Sequence, residues 1–199
     1  DLIGAATGSI LLVYLLNIVS GPTAVVVTAF FAGLGVIFFS NEAGLKKIKW
    51  VAVILTIIFI LFAVINTVSA YKQSPLLNLK YVKGSRESGI IYEKWNSFSR
   101  VTVWGDKDEL VSPFGWGLSP IYPVDKKINQ LWMFIDAVAG TPLTGFSGDL
   151  NKIDFLKYDI VNLAHYLKKD ADVLVVGAGG GRDILSALVF NQKSITAIE

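Results

Sequence analysis

The sequence predicts a protein of several parts: three apolar helices of membrane-spanning length, a small β-domain, and the start of an α/β domain. The chain of 199 residues is 53% hydrophobic, and its mean hydropathy of +0.55 is high for a soluble domain. Charged residues are rare in the first 70 residues, whereas the remainder has a mixed charge pattern with Gly and Pro. A glycine cluster at 177–181 stands between a strand pattern and a helix pattern.

Three apolar stretches, at about 2–19, 23–39 and 50–70, contain no charged residue. Each is close to the roughly 20 residues that a transmembrane helix needs, and none has the polar face of a soluble helix. The break at Ser20–Pro22 predicts an antiparallel hairpin of the first two helices. Small residues that would allow close helix approach are Gly4, Gly8, Gly33 and Gly35. We therefore expect region 1–71 to lie in a lipid bilayer.

The lack of ionisable residues within the spans indicates an anchor or a remnant rather than a transport pathway. Within the spans, the polar residues are Asn17, Asn66 and a few with hydroxyl groups, and none is ionisable as a transport pathway usually requires. Basic residues flank the third span in nearly equal number on its two sides, so the positive-inside rule leaves the orientation open. The sequence begins inside an apolar run with no basic segment before it, which disfavours a signal peptide. We expect the sequence to begin inside a longer apolar segment.

Composition excludes several kinds of site. The chain has no cysteine, which excludes disulfides, Cys-ligated zinc and a thiol nucleophile. A single histidine, His165, disfavours a His-based metal cluster, and we assign it to packing beside its apolar neighbours. The net charge of +2 comes from scattered residues and does not indicate a nucleic-acid surface. We therefore predict neither a metal nor a nucleic-acid partner.

Region 72–150 is predicted to be a linker and a small β-domain. Apolar and polar residues alternate over 98–104, as in a strand. A polar turn and a short run at 110–112 follow, which predicts a hairpin. Residues 131–140 predict a further strand. The loop between them carries three aromatic residues, Phe114, Trp116 and Tyr122. Their rings either line a substrate mouth, lie at the membrane interface, or pack the loop onto its own sheet.

Region 151–199 is predicted to be the start of a Rossmann-like nucleoside-binding domain. An apolar run at 172–176 predicts a parallel strand buried on both faces, and the glycine cluster, a helix and a second strand follow. Glycines let the backbone approach a ligand, and an acid at the tip of the second strand can accept hydrogen bonds from both ribose hydroxyls. The candidate ligand-binding residues are Gly177, Ala178, Gly179, Gly180, Gly181 and Glu199.

The residues beside the glycines indicate which class of ligand the loop binds. Arg182 stands where a dinucleotide-binding G-x-G-x-x-G motif has its third glycine. An adenosine-containing ligand without a pyrophosphate, such as S-adenosylmethionine, is therefore favoured over NAD. Arg182 and Asp183 either cap the following helix or touch the ligand, and capping is favoured for Asp183. Since a doubly wound sheet needs further strands, we expect the domain to be truncated after Glu199 and the catalytic residues to lie beyond it.

Four stretches, in this order, resemble the spermidine synthase-like proteins (polyamine aminopropyltransferases), including bacterial forms fused to membrane spans. They are 92–104, 131–141, 153–167 and 173–181. The resemblance implies a small β-domain, then a Rossmann domain of the class I methyltransferase type. Val175 precedes the first glycine by two residues, where most methyltransferases have an acid and the aminopropyltransferases an apolar residue.

The resemblance also implies roles for single residues. Glu199 would hold the ribose hydroxyls, Asp159 would face the amine substrate, and Asp136 is a further retained acid. Three residues that the family uses to hold its substrates, a Gln, a His and an Asp, are replaced here by Gly140, Tyr158 and Gly180. The candidate substrate-binding residues are therefore Asp136, Tyr158 and Asp159.

The predicted function is a membrane-anchored transferase with S-adenosylmethionine or its decarboxylated form as co-substrate, transferring an aminopropyl group to a polyamine. The lost Gln and His equivalents favour instead methyl transfer to an unknown acceptor. A non-catalytic membrane-bound nucleoside sensor is a further alternative, as is an NAD-dependent oxidoreductase, which Arg182 disfavours. Because the co-substrates are cytosolic metabolites, we expect the soluble part to face the cytoplasm, at a bacterial plasma membrane. The acceptor and a homo-oligomeric state stay open.

Overall fold

The computed structural model describes residues 2–123 and 125–199, so Asp1, with which the sequence begins, lies outside it. The chain divides into two units, Asp1–Thr102 and Val103–Glu199. Helices dominate the first unit. The second holds an antiparallel sheet and a parallel pair of strands with a helix between them.

The first unit begins with three apolar helices. They are α1 (Leu2–Leu16), α2 (Gly21–Glu42) and α3 (Lys46–Tyr71). With 22 and 26 residues, α2 and α3 are long and apolar enough to cross a membrane, whereas α1 has 15 residues and falls short of that length. Ser20 caps α2 by accepting a hydrogen bond from Thr23 N (3.4 Å), and Pro22 follows in the first turn. The predicted break between the first two helices is confirmed.

Close packing joins α2 to α3 at Gly33. A Cβ atom there would collide with the Thr56 hydroxyl of α3, so glycine is what allows the two helices to meet. The other small-residue positions, Gly4, Gly8 and Gly35, face open space. Every residue of α1 is described, and none is buried. The predicted close approach therefore holds at one of four glycines.

Asn66 is a fully buried polar residue within α3. Its Nδ2 donates to Thr23 Oγ1 (2.8 Å) and to Leu77 O (3.3 Å), while its Oδ1 accepts from Leu77 N (2.7 Å). The Ser20 and Thr23 hydroxyl oxygens lie 2.8 Å apart beside it. Because a buried amide without partners destabilises a fold, these bonds explain how an apolar helix tolerates Asn66. They also tie the segment after α3 to the start of α2.

A buried arginine holds the strands that follow. These strands are β1 (Tyr81–Val82), β2 (Ser85–Arg86), β3 (Ile90–Trp95) and β4 (Arg100–Trp104). Arg100 Nη1 lies 2.6 Å from the Glu87 carboxylate, and its Nε lies 3.1 Å from that of Glu93. Burial lowers the pKa of Arg100, but hydrogen bonds and charge from Glu93 and Glu87 raise it more, so its pKa lies above the ordinary value. The guanidinium stays charged and links the three segments.

The antiparallel sheet of the second unit is built on one long strand. Its strands are β5 (Leu110–Val111), β6 (Ile128–Ile135) and β7 (Ala139–Thr144). β6 pairs with β7 along its length and with β5 at its start, where Leu110 lies opposite Asn129. The predicted hairpin between 98–104 and 110–112 is therefore wrong. Two residues make a weak strand, and β6 offers them a longer partner.

The single strand predicted over 131–140 is also wrong, because the chain reverses within it. Asp136 and Ala137 have φ of 50° and 67°, the left-handed backbone of a tight hairpin turn between β6 and β7. Aspartate tolerates this conformation better than most residues, whereas alanine does not favour it. Since no glycine stands at these two positions, the sequence carries no strong turn signal here.

The stretch 153–167, which resembles a helix motif of the spermidine synthase-like proteins, lies in a helical region that is broken into pieces. 3₁₀ turns cover Leu150–Tyr158 and Ile160–Asn162, and α4 covers Leu163–Leu167. At the break, Asp159 has an extended backbone (φ −99°, ψ 125°), and its side chain accepts a hydrogen bond from Val161 N (3.3 Å). Asp159 therefore ends one segment and caps the next.

The predicted order of strand, glycine loop, helix and strand is present. β8 (Asp172–Val176) pairs in parallel with β9 (Ser194–Ile198), and α5 (Arg182–Val189) lies between them in the chain. Burial of β8 on both faces is wrong, because Leu174 and Val176 are 62% and 72% exposed. α5 packs instead onto a core that includes Ile153, Phe155, Leu156, Leu185 and Val189.

Candidate functional site

A cleft of about 560 Å³ lies at the glycine loop, within the roughly 300–1,000 Å³ typical of ligand pockets. Its polar wall comes from the loop, the start of α5 and the end of β9. The residues of that wall are Gly177, Ala178, Gly179, Arg182, Asp183 and Glu199. The rest of the wall is mainly apolar. It includes Trp116, Met133, Ile135, Val161 and residues 139–141.

The loop has a backbone that requires glycine. Gly177, Gly179 and Gly181 have φ of 71°, 49° and 77°, which other residues adopt only with strain. Gly177 N donates to Ile198 O (2.9 Å), which holds the loop to the end of β9. Gly179 N donates to Glu199 Oε2 (2.8 Å). The acid at the tip of the second strand thus lies directly against the loop, in the wall of the cleft.

Two predicted ligand-binding residues of the loop, Gly180 and Gly181, do not line the cleft. A Cβ atom at Gly180 would collide with the Pro142 carbonyl oxygen and lie 3.1 Å from the Thr141 side chain, so the packing of the loop on β7 requires glycine. Gly181 is the N-cap of α5. The loop residues that line the cleft are Gly177, Ala178 and Gly179.

Arg182 and Asp159 form a buried ion pair at the cleft. Arg182 is 7% exposed and Asp159 is 2% exposed, and Arg182 Nη2 contacts Asp159 Oδ2. Asp159 Oδ1 also accepts hydrogen bonds from Gly117 N (3.0 Å) and Val161 N (3.3 Å). The resemblance implied that Asp159 faces an amine substrate. In the structure this carboxylate is buried and bound by three donors of the protein itself.

The other two candidate substrate-binding residues, Asp136 and Tyr158, are not among those that line the cleft. Asp136 is exposed in the turn between β6 and β7. Tyr158 packs edge-on against Tyr122, with ring centroids 5.1 Å apart. Burial and a hydrogen bond to Asp154 (2.9 Å) raise the pKa of Tyr122, so this hydroxyl stays protonated and acts as a donor.

The three aromatic rings of the loop, for which the sequence left several roles open, have different surroundings. Phe114 packs edge-on against Trp132, with ring centroids 4.7 Å apart, and Tyr122 belongs to the core. Trp116 is 64% exposed and lines the cleft. Packing therefore accounts for two of the rings, and Trp116 is the ring placed at a ligand-sized opening.

Sequence reasoning missed the apolar wall of the cleft. Met133 and Ile135 stand at alternate positions of β6, so they lie on one face of the strand. The alternation was available as a signal for a shared face. It does not tell which face meets a loop more than forty residues later in the sequence.

Three further predictions concern Asp183, His165 and metals. Asp183 lines the cleft in the first turn of α5, and no side-chain cap bond is found at that helix start. His165 stacks on Phe190 with ring centroids 5.2 Å apart, and its Nδ1 lies 3.0 Å from Gln192 Nε2. Within residues 2–123 and 125–199, no group of three or more His, Cys, Asp or Glu is placed to hold a metal ion.

Comparisons of the chain with protein-family models, with curated proteins and with solved structures give no match. The resemblance to the spermidine synthase-like proteins therefore rests on its four sequence stretches. What the cleft binds has to be inferred from its own geometry.

Proposed function

We propose that this protein is a membrane-anchored transferase that binds S-adenosylmethionine or its decarboxylated form in the glycine-loop cleft. One observation carries the proposal: Glu199 lies at the tip of β9, with Oε2 2.8 Å from Gly179 N, in the wall of the cleft. In a parallel strand–loop–helix–strand unit, an acid in this position accepts hydrogen bonds from ribose hydroxyls, and the loop backbone passes close to the nucleoside. Arg182 replaces the glycine that a dinucleotide would favour.

Two transfer reactions are candidates. The resemblance makes aminopropyl transfer to a polyamine the first. Methyl transfer to another acceptor is the second, and it is favoured by the lack of space at two positions where the family has substrate-binding side chains. A Cβ atom at Gly140 would lie 2.6 Å from the Phe134 ring, and one at Gly180 would collide with the Pro142 carbonyl oxygen. A non-catalytic sensor would use the same cleft without either transfer.

The variant Glu199→Gln tests the nucleoside site. It keeps an oxygen that can accept from Gly179 N but removes the charge that strengthens hydrogen bonds to the ribose, a loss of about 1.5–3 kcal/mol. We expect the Kd of S-adenosylhomocysteine to rise about tenfold to a hundredfold, measured by calorimetry on the full chain in detergent. Glu109→Gln, which removes an exposed acid before β5, should leave the Kd unchanged.

Other results of this measurement would point elsewhere. Binding of NAD without binding of S-adenosylhomocysteine would overturn the proposal in favour of an oxidoreductase. If neither ligand binds, the nucleoside site itself is wrong. Ligand binding without transfer of either group to an amine acceptor would identify the sensor.

We further propose that α2 and α3 cross the bilayer and that the soluble part faces the cytoplasm. The apolar side chains that these helices expose would contact lipid, and they include Val25, Phe39, Trp50 and Ile54. The buried amide of Asn66 already has partners within the protein. Two spans place the loop between α2 and α3 on one side of the membrane and the chain after α3 on the other.

The absence of native cysteine makes this topology testable with single-cysteine variants. In intact spheroplasts, an impermeant maleimide should label Ala43→Cys, in the loop between α2 and α3. It should label Lys193→Cys, whose native side chain is 61% exposed, only after lysis. The reverse labelling pattern would contradict the orientation, and release of the protein by alkaline carbonate would contradict the spans.

A further inference from the structure

We infer that Arg182 binds the carboxylate of the ligand's amino-acid tail, so that the cleft takes intact S-adenosylmethionine in preference to the decarboxylated form. This inference rests on the proposed function and decides between its two co-substrates. It depends on the state of one guanidinium in the wall of the cleft.

Arg182 has donors that the protein leaves without partners. One nitrogen, Nη2, contacts Asp159 Oδ2. Nε and Nη1 are buried and have no hydrogen-bond partner among the described residues. Buried donors in native proteins nearly always find an acceptor, and a guanidinium that lacks one is costly to bury. Arg182 lines the cleft, so with a small shift of this side chain a ligand in the cleft is the acceptor that its position offers.

A purely structural role does not account for these nitrogens, as the other buried arginine shows. Arg100 uses all three: Nε and Nη2 each donate to Glu93 at 3.1 Å, and Nη1 donates to Glu87 at 2.6 Å. Arg182 instead meets a single carboxylate, Asp159, which two backbone N–H groups also occupy. Each of the three nitrogens of Arg100 therefore has an acceptor within its own fold, whereas two nitrogens of Arg182 are left to donate to an anion.

The surroundings of Arg182 select a carboxylate on a zwitterionic tail. Nε and Nη1 each carry an N–H donor without a partner in the described part of the chain, and a bond from a guanidinium N–H to a carboxylate oxygen is among the stronger hydrogen bonds in proteins. Arg182 stands in the first turn of α5, where the helix dipole also favours a negative group. Asp183 lines the same cleft and has the charge that an ammonium group requires. A decarboxylated ligand would leave the free nitrogens of Arg182 without an acceptor. It would also bring its sulfonium and ammonium groups into the cleft without a carboxylate to offset their charge.

Three ligands separate the contributions to binding. S-adenosylhomocysteine carries the carboxylate and the amine, its decarboxylated analogue carries the amine alone, and 5′-methylthioadenosine carries neither. The full chain in detergent should bind S-adenosylhomocysteine about tenfold to a hundredfold more tightly than the decarboxylated analogue. In Arg182→Lys and Arg182→Gln this ratio should fall towards one. Lys193→Gln, which removes an exposed cation of the same unit, should keep the ratio of the unmodified protein.

The ratio within each variant is the decisive quantity, because a general loss of folding lowers both affinities together. Arg182→Lys keeps a charge beside Asp159 and serves if Arg182→Gln fails to fold. A ratio near or below one in the unmodified protein overturns the inference, and so does a ratio that survives both substitutions. In those cases binding of 5′-methylthioadenosine leaves the proposed function intact. If none of the three ligands binds, the proposed function itself fails.

Discussion

Replacement of Asp159 by asparagine should lower the free energy of unfolding by about 3–5 kcal/mol, the cost of leaving one partner of a buried ion pair without the other. The side chain keeps its shape and an oxygen for Gly117 N, but the buried guanidinium of Arg182 loses its counter-charge. The measurement is urea-induced unfolding followed by tryptophan fluorescence. Trp116 and Trp132 lie in the same unit and report on it.

Asp172→Asn is the matched control for Asp159→Asn. It removes the same charge from an ion pair with Lys193 whose side chains are 66% and 61% exposed, and such pairs contribute about 1 kcal/mol or less. The double variant Asp159→Asn with Arg182→Gln removes both buried charges and should recover part of the loss. If Asp159→Asn costs no more than Asp172→Asn, this pair does not hold the wall of the cleft.

The sequence predicted those parts of the fold that depend on local patterns. The glycine cluster between an apolar strand and an amphipathic helix predicts β8, the loop, α5 and β9. Each of these elements follows from its own residues, since glycines allow the positive φ angles of the loop. The apolar runs predict α2 and α3, since length and hydrophobicity alone decide them. The same local spacing predicts Glu199 at the tip of the second strand beside the loop, and in the structure its carboxylate lies there.

Features that depend on residues distant in the sequence could not be predicted. The partner of β5 is β6 rather than the preceding strand, because pairing is decided by which edge is available. The pair of Arg182 with Asp159 spans 23 residues and a broken helix, so no spacing rule indicates it. For the same reason the resemblance predicts Asp159 as a substrate-binding acid, whereas in the structure its carboxylate is buried and is bound by three donors of the protein.

Gly180→Asp restores the acid that the spermidine synthase-like proteins have at this position, and we expect it to weaken the site. A Cβ atom there would collide with the Pro142 carbonyl oxygen, a backbone atom of β7 that cannot rotate away as a side chain would. The loop has to shift, which separates Gly179 N from Glu199. We expect the Kd of S-adenosylhomocysteine to rise roughly tenfold or more, in line with about 1–3 kcal/mol for overpacking. No aminopropyl transfer should appear.

Gly180→Ala distinguishes crowding from charge, because it adds the same Cβ atom without the carboxylate. Its Kd should rise by a similar factor. Gly148→Ala is the control: its φ of +93° disfavours a side chain, but no atom lies within 4 Å of the added Cβ and the residue is exposed. That variant should lose a little stability and keep its affinity. If Gly180→Ala binds S-adenosylhomocysteine normally, the loop can separate from β7 at little cost, and crowding by Pro142 is not the reason that glycine stands at this position.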